Sequence, residues 1–136
     1  MSNFMVKHSN PEGLFAARFY SQLVTVSGNA KTIYIGGQNA INNNGELVGK
    51  DDFEQQALEN TKIALASENA TFNDVIKLNI YIADGCDPAV GLKAFMETVG
   101  ELKNPPLITV LKVAGLANPL CLIEIDAIAV AEEKGD

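Results

Sequence analysis

Alternating apolar and polar positions predict five β-strands in this chain. The clearest alternation runs from Val75 to Ile82, where the even-numbered residues are all apolar and predict one buried face. The odd-numbered residues, Val75 among them, are placed on the other face with Lys77, Asn79 and Tyr81. The predicted strands, all rich in β-branched, aromatic or aliphatic residues, are Tyr20–Val26, Thr32–Ile35, Val75–Ile82, Leu107–Val113 and Leu122–Val130.

Two further segments have the periodicity and the terminal residues of helices. The first is predicted to begin at an N-cap, Asp51 or Asp52, and to run to about Asn69. The second is predicted from Ala89 to Val99, and Pro88 suits its first turn. The resulting order, β-β-α-β-α-β-β, is typical of the α+β fold class.

The last strand predicts that one sheet face needs a partner. Two helices about 10 Å across can cover only one face of a five-stranded sheet. Yet Ile123 and Ile125 supply apolar side chains on one face, while Ile128 and Val130 share the other with Glu124. An uncovered face of this kind would be a large exposed apolar patch. We therefore expect a homo-oligomer whose subunits pack these faces together.

The length of 136 residues predicts a single domain, residues 1–136. Turn-forming residues Asn10-Pro11-Glu12-Gly13 lie near its start. We expect residues 1–14 to form an irregular arm and residues 132–136 a polar tail. An apolar content of 47% with 20% charged residues is typical of a globular chain rather than a disordered one.

Charge and cysteine content narrow the classes of partner. A net charge of −7 with one arginine, Arg18, argues against nucleic-acid binding, because that binding depends on cations neutralising phosphates. No apolar run approaches the roughly 20 residues of a membrane span, so no membrane partner is expected. Two cysteines and a start without a signal-peptide core predict a cytoplasmic location.

Metal and nucleotide sites are not predicted. His8 is the only histidine and falls in the expected flexible arm, while Cys86 and Cys121 are far apart in sequence. Cys121 is interpreted as a small apolar filler and Cys86 as a surface thiol. Gly36 and Gly37 lack the spacing of a phosphate loop, and a strand end with close backbone packing is the simpler interpretation.

Glu124 is the candidate for chemistry, because its neighbours along the strand are nearly all apolar. An isolated carboxylate in such surroundings is costly unless it is paired, hydrogen-bonded or protonated. Two interpretations stay open: an ion pair with a lysine or contact with water at the sheet edge, and a general acid/base in an apolar cleft. Asp126 points the same way about 6–7 Å along the strand and is interpreted as a solvated or paired neighbour.

Five segments together resemble the RidA/YjgF family, in matching order over about residues 17–131. The segments are Tyr20-Ser21-Gln22, Tyr34–Gln38, Gly45–Gly49, Ala70–Lys77 and Ile123–Ala129. The last of these is similar to the Ile-Glu-Ile-Glu-Ala-Ile-Ala signature of the family. The resemblance implies a chorismate-mutase-like α+β fold, a homotrimer, and a cleft at each subunit interface.

The resemblance also implies an activity: cofactor-free hydrolysis of a small enamine or imine to a carbonyl compound and ammonia. It implies that Glu124 positions or activates water, and that Tyr20 and the Gly37 backbone line the cleft. Thr109 stands where many members have cysteine, and Leu107 stands in the position of the arginine that binds the substrate carboxylate.

Leu107 is the main departure from the family pattern, because Pro105-Pro106-Leu107-Ile108 replaces Pro-Ala-Arg-Ser. Loss of a partner for a buried charge costs roughly 3–5 kcal/mol, so we expect altered substrate preference. Leu92 replaces a common asparagine and Gly36 a common serine, which predicts a more apolar pocket. Arg18 has two interpretations: a replacement anion contact, or an exposed arginine on the arm.

Two functions follow as alternatives from this set of residues. The first is a RidA-like hydrolase of imines or enamines with altered preference, in which Glu124 is the acid/base. The second is a non-catalytic small-ligand-binding or regulatory trimer on the same scaffold. The acidic composition argues against a third, ribonuclease activity.

Overall fold

A computed structural model describes residues 3–48 and 53–133 of the chain, with residues 53 and 54 described by their backbone only. The predicted N-caps Asp51 and Asp52 and the last three residues of the predicted tail lie outside this part. The strands are β1 Phe4–Ser9, β2 Leu23–Gly28, β3 Ala30–Gln38, β4 Val75–Ala83, β5 Leu107–Val113 and β6 Ile123–Glu132. The helices are α1 Phe53–Ala66 and α2 Pro88–Thr98, and a short 3₁₀ turn spans Phe72–Asp74.

The strands form two sheets. Strands β1 and β2 pair antiparallel, and the larger sheet has four strands in the order β3-β6-β4-β5. In this sheet β6 is antiparallel to both β3 and β4, whereas β4 and β5 are parallel and are joined by α2 as a crossover. The predicted α+β class and the order of the helices and strands from β2 onward are confirmed. The expected five-stranded sheet is wrong, because β2 pairs with β1 in a separate sheet.

The first strand corrects the expected irregular arm. Phe4–Ser9 pairs along its whole length with Leu23–Gly28, and only the residues from Asn10 to Leu14 form the turn that the sequence predicts. The pairing partner lies about twenty residues away, so no local pattern in the first fourteen residues reveals it. His8, placed in a flexible arm by the sequence, is therefore a half-buried strand residue.

A β-bulge corrects the predicted face of Val75. Val75 pairs with Ala129, but the next pair along is Lys77 with Ile128, so the register shifts between them. The extra residue turns Val75 into the core, where it is 1% exposed. The prediction that Val75 shares a face with Lys77 is wrong for this reason.

The core lies between the four-stranded sheet and α1. Three residues of α1, Ala57, Leu58 and Leu65, are buried against it. The sheet residues of the buried cluster alternate along each strand and include Ile33, Ile35, Leu78, Ile82, Ile123, Ile125, Ala127 and Ala129. Helix α2 also packs on this face, yet none of its residues is fully buried. Both helices thus cover the same face of the sheet, as the sequence predicts.

The opposite face of the sheet carries large exposed side chains. Tyr34 on β3 is 77% exposed and Leu111 on β5 is 49% exposed. Tyr34 faces Ile128 across the β3–β6 pair, so apolar surface continues from one strand to the next. This surface, here called the open face, is the one that the sequence predicts to be covered by further subunits.

We expect Leu78→Ala to lower the free energy of unfolding by about 2–5 kcal/mol, because its side chain is fully buried and its removal leaves a cavity. Ile63→Ala is the control, since Ile63 is 67% exposed on α1 and its truncation should change the free energy by less than about 0.5 kcal/mol. Urea denaturation measures both changes. Equal losses for the two variants would contradict the position of the core.

Candidate functional site

Glu124 projects from the middle of β6 onto the open face. Its neighbours Ile123 and Ile125 are buried in the core on the other side, and Glu124 itself is half-buried. Across the β4–β6 pair it lies opposite Tyr81. No described lysine or arginine forms an ion pair with it, so the ion-pair interpretation is not supported by the part of the chain that the structure covers.

Gly37 lies directly against the Glu124 carboxylate. A Cβ atom built at Gly37 would fall 2.6 Å from Glu124 Oε2 and 2.9 Å from Glu124 Cγ. The register of β3 against β6 shifts between Ile35 and Gln38, which brings this stretch of backbone over the carboxylate. A side chain at this position would therefore displace the Glu124 carboxylate from where it lies, although the backbone angle of Gly37 is not unusual. The structure brings together these two residues of the predicted site.

A polar cluster beside Glu124 was not among the sequence candidates. The Asn79 side-chain amide donates to Asp126 Oδ1 at 2.8 Å. A hydrogen bond to Asp126 is the largest cause that raises the pKa of Tyr81, followed by burial and by the negative charges of Asp126 and Glu124. Tyr81 thus keeps its proton and remains a hydrogen-bond donor next to two carboxylates. Asp126 is a paired neighbour, as expected.

Alternation could have found this cluster. It places Asn79 and Tyr81 on one face of β4, and the antiparallel register then sets them opposite Asp126 and Glu124. The register itself, however, depends on which strands pair, and this is not visible in the local sequence.

The two cysteines lie at different depths. Burial raises the pKa of the Cys121 thiol and the charge of Glu124 adds to this, while a backbone hydrogen bond at Ala40 acts in the opposite direction. Cys121 is 1% exposed, which agrees with its interpretation as a filler. Cys86 is half-buried and packs against the core cluster, so its interpretation as a surface thiol is wrong.

The remaining predicted cleft residues gather at the β5 edge of the sheet. Leu107 is half-buried opposite Lys77, and Thr109 is exposed opposite Asn79, so both lie on the open face. Tyr20 is half-buried and immediately precedes Ser21, whose backbone N–H donates to the Pro106 carbonyl at 3.0 Å. Tyr20 is therefore held beside Leu107.

The chain around Pro105 explains how this edge is fixed. The Ser21 hydroxyl donates to the Pro105 carbonyl at 2.6 Å, and His8 Nδ1 lies 3.0 Å from the same oxygen. Because a carbonyl oxygen only accepts, His8 donates through Nδ1. The first strand and Ser21 together attach the N-terminal part of the chain to the segment that enters β5.

One chain does not bring these two groups of residues together. Strands β3 and β5 are the opposite edges of the sheet, about 14 Å apart over three strand spacings. Leu107 pairs with Lys77 on β4, and Lys77 in turn pairs with Ile128 on β6. Glu124 lies about 13 Å from Ile128 along β6. Gly37 and Glu124 form one half-site, and Tyr20, Leu107 and Thr109 form another.

The other sequence candidates lie apart from both half-sites. Arg18 Nε is 3.3 Å from Glu101 Oε1, its side chain is 73% exposed, and its guanidinium lies 5.5 Å from the Phe19 ring centroid. This position agrees with an exposed arginine and not with an anion contact near Glu124. Leu92 lies half-exposed on α2, and at Gly36 a Cβ would meet no atom within 4 Å. Gly36, Leu92 and Leu107 lie apart within one chain, and the expectation of a more apolar cleft between subunits stays a prediction.

Over residues 3–48 and 53–133, no group of three or more histidine, cysteine, aspartate or glutamate side chains is arranged to hold a metal ion. None of the helices in the same residues is long and apolar enough to cross a membrane.

Comparison with known proteins places these features in a family. Residues 12–131 match the family described as Endoribonuclease L-PSP. A RutC family protein of Pyrococcus horikoshii is 38% identical over 116 residues, which cover 83% of this chain and 87% of the relative.

Solved structures agree in fold. A conserved Rid protein family member from Yersinia pestis has a TM-score of 0.76 at 32% identity, covering 93% of this chain and 98% of that one. TdcF of E. coli, crystallised with bound serine, has a TM-score of 0.65 at 26% identity, covering 74% of this chain and 81% of that one. With the half-sites and the motifs described above, these similarities show that the chain belongs to the endoribonuclease L-PSP family, the RidA/YjgF family that its sequence resembles.

Proposed function

We propose that this protein hydrolyses a small imine or enamine in a cleft between the subunits of a homotrimer, with Glu124 as the acid/base. Family membership supports a role in small-molecule processing in general. The observation that carries the finer proposal is the close fit of the Glu124 carboxylate against Gly37. The Gly37 backbone limits the positions open to this carboxylate on one side, and positioned acid/base catalysis needs such a limit.

The position of the half-sites supports assembly of the cleft from two chains. Gly37 and Glu124 lie toward one edge of the sheet, and Tyr20, Leu107 and Thr109 lie at the other. In a closed ring, one edge of each subunit meets the other edge of the next, so that each interface joins two complementary half-sites. The exposed open face supplies apolar area for that contact.

The proposed chemistry uses water and no cofactor. The Glu124 carboxylate accepts a proton from water as the water oxygen bonds to the imine carbon, and passes it to the imine nitrogen, giving a neutral carbinolamine. Glu124 then accepts the hydroxyl proton as the carbonyl forms and delivers it to the nitrogen as the carbon–nitrogen bond breaks, so that a carbonyl compound and ammonia leave. An enamine enters the same route once its carbon has been protonated. The Tyr81 phenol, which stays protonated beside Glu124, supplies a nearby hydrogen-bond donor.

Substrate preference is proposed to follow from Leu107. A guanidinium at this position would offer two parallel hydrogen bonds to a carboxylate, and leucine offers none. We therefore propose an imine with an apolar or neutral substituent as the preferred substrate. The structure of E. coli TdcF with serine supports a ligand of amino-acid size in this fold.

A non-catalytic ligand-binding or regulatory trimer is the second candidate, and Leu107 is the observation that favours it. Without a cation at that position the cleft lacks the contact that holds an anionic substrate in place. Ligand binding without release of ammonia from any imine would support this candidate. Because the net charge is −7, we do not expect nucleic acid to be a partner. A cytoplasmic location stays a prediction from cysteine content.

We expect Glu124→Gln to lower kcat for imine hydrolysis by roughly 10²–10⁴-fold, because an amide cannot shuttle the proton. Gly37→Ala should also lower it, since the added methyl group displaces the carboxylate without removing it. Glu97→Gln is the control, as Glu97 is an exposed carboxylate on α2 paired only loosely with Lys93 at 3.9 Å. Release of ammonia from a freshly generated neutral imine, and from 2-aminoacrylate and longer imino acids, measures all three. Full activity of Glu124→Gln would refute the assignment.

Leu107→Arg should lower KM for imines that carry a carboxylate by about tenfold or more, because a charged hydrogen bond contributes roughly 1.5–3 kcal/mol. Leu107→Met is the matched control, since it retains size without charge. An unchanged ratio of kcat/KM between anionic and neutral imines would show that Leu107 does not face the substrate.

The assembly is tested by analytical ultracentrifugation at micromolar concentration. We expect a species of about three times the chain mass of 14.5 kDa. Tyr34→Glu places a charge on the open face and should shift the distribution toward single chains, whereas Ile63→Glu on α1 should not. A stable monomer of the unaltered chain would contradict both the trimer and the interfacial cleft.

A further inference from the structure

A cavity lies on the helix side of the sheet, on the face opposite to Glu124. Its volume is about 140 Å³, and it is a partly open cavity between α2 and strands β4, β5 and β6. Its floor is made of fully buried side chains, namely Leu58, Ile82, Ile123 and Ile125. Ile123 and Ile125 flank Glu124 in sequence and point the other way, so the cavity and the proposed cleft are separated by the sheet itself.

The cavity exists because α2 does not fill the space over these strands. The apolar residues Leu92 and Met96 of α2 are 49% and 36% exposed, respectively, although both line the cavity. Gly91 lines it as well and contributes no side chain. Protein interiors are normally packed with few voids larger than a water molecule. An unfilled apolar space of this size therefore points to an occupant.

Among the described residues that line the cavity, the two charged ones lie at its rim. Arg18 and Glu101 form an ion pair there at 3.3 Å, and their side chains are 73% and 58% exposed, respectively. The guanidinium also lies over the Phe19 ring at 5.5 Å from its centroid. An exposed ion pair of this kind contributes little free energy, so another carboxylate can take the place of Glu101.

We propose that this cavity binds a small carboxylic acid with an apolar body, such as a single aromatic ring or a branched chain. The apolar body lies among Ile80, Phe95 and Ile108, and the carboxylate binds Arg18 at the rim. The volume suits such a body, because apolar cavities of about 150 Å³ in proteins accept benzene. A guanidinium binds a carboxylate through two parallel hydrogen bonds. The site is independent of the proposed hydrolysis.

The probes are phenylacetate and its neutral counterpart phenylacetamide, titrated into the full-length protein and followed by calorimetry and by thermal unfolding. We expect both to bind and phenylacetate to bind more tightly. Arg18→Gln should weaken phenylacetate by about two- to fivefold, the range expected for an exposed ion pair, and leave phenylacetamide unchanged. Glu101→Gln should strengthen phenylacetate, because it releases Arg18 from its ion pair. Lys93→Gln, which removes an exposed cation of α2 that does not line the cavity, is the matched control and should change neither.

Two cavity-filling variants test the location. Gly91→Leu should abolish binding of both probes without lowering the melting temperature, because leucine also suits a helix better than glycine. Val110→Phe, at a half-exposed lining position, should also abolish binding of both probes. This variant tests the location of the site if Gly91→Leu does not fold. Glu124→Gln should bind both probes as the unaltered protein does, so that loss of hydrolysis and loss of this site are distinguishable.

The proposal would be overturned if neither probe binds at 10 millimolar, a concentration about a hundredfold above a dissociation constant of 0.1 millimolar. Unaltered binding in both filling variants would also overturn it, as would equal weakening of the two probes by Arg18→Gln.

Discussion

Strand β6 hydrogen-bonds to β3 on one side and to β4 on the other, so its register decides which side chains meet the helices and which reach the open face. Its odd-numbered residues from Ile123 to Ala129 are buried, and a shift by one residue would exchange them for Glu124 and Asp126. The cost of burying two carboxylates in place of isoleucines and alanines keeps the strand in this register. The position of the candidate acid/base follows from the same constraint that forms the core.

Local patterns in the sequence were sufficient for most strands and both helices, because periods of 2 and 3.6 residues are properties of single elements. They were insufficient wherever pairing decides the outcome. The bulge beside Val75 and the strand from Phe4 to Ser9 both depend on a partner distant in the chain. No propensity scale carries this information.

The candidate site likewise combines residues that local patterns predict with residues that depend on strand pairing. Glu124 was visible as a carboxylate in an apolar strand, and the family motif added Gly37, which the structure places against it. Asn79 and Tyr81 were not predicted as site residues, because their proximity to Asp126 depends on the antiparallel register. Arg18 could not be placed, since its position depends on a contact with Glu101 more than eighty residues away. Long-range contacts of this kind arise from the tertiary fold and produce no periodic pattern in the sequence.

The loose packing of α2 on the sheet has a consequence for the local fluctuations of the molecule. Ala94 and Phe95 of α2 pack against the core, but no residue of this helix is completely buried, so its local opening costs less free energy than global unfolding. Helix α1, with Ala57, Leu58 and Leu65 in the core, has no such freedom. Transient detachment of α2 would uncover the floor over β4 and β6 while the sheet stays intact. Since Leu92 and Met96 leave the cavity partly open to solvent, such a fluctuation of the crossover helix would widen an existing opening rather than create one.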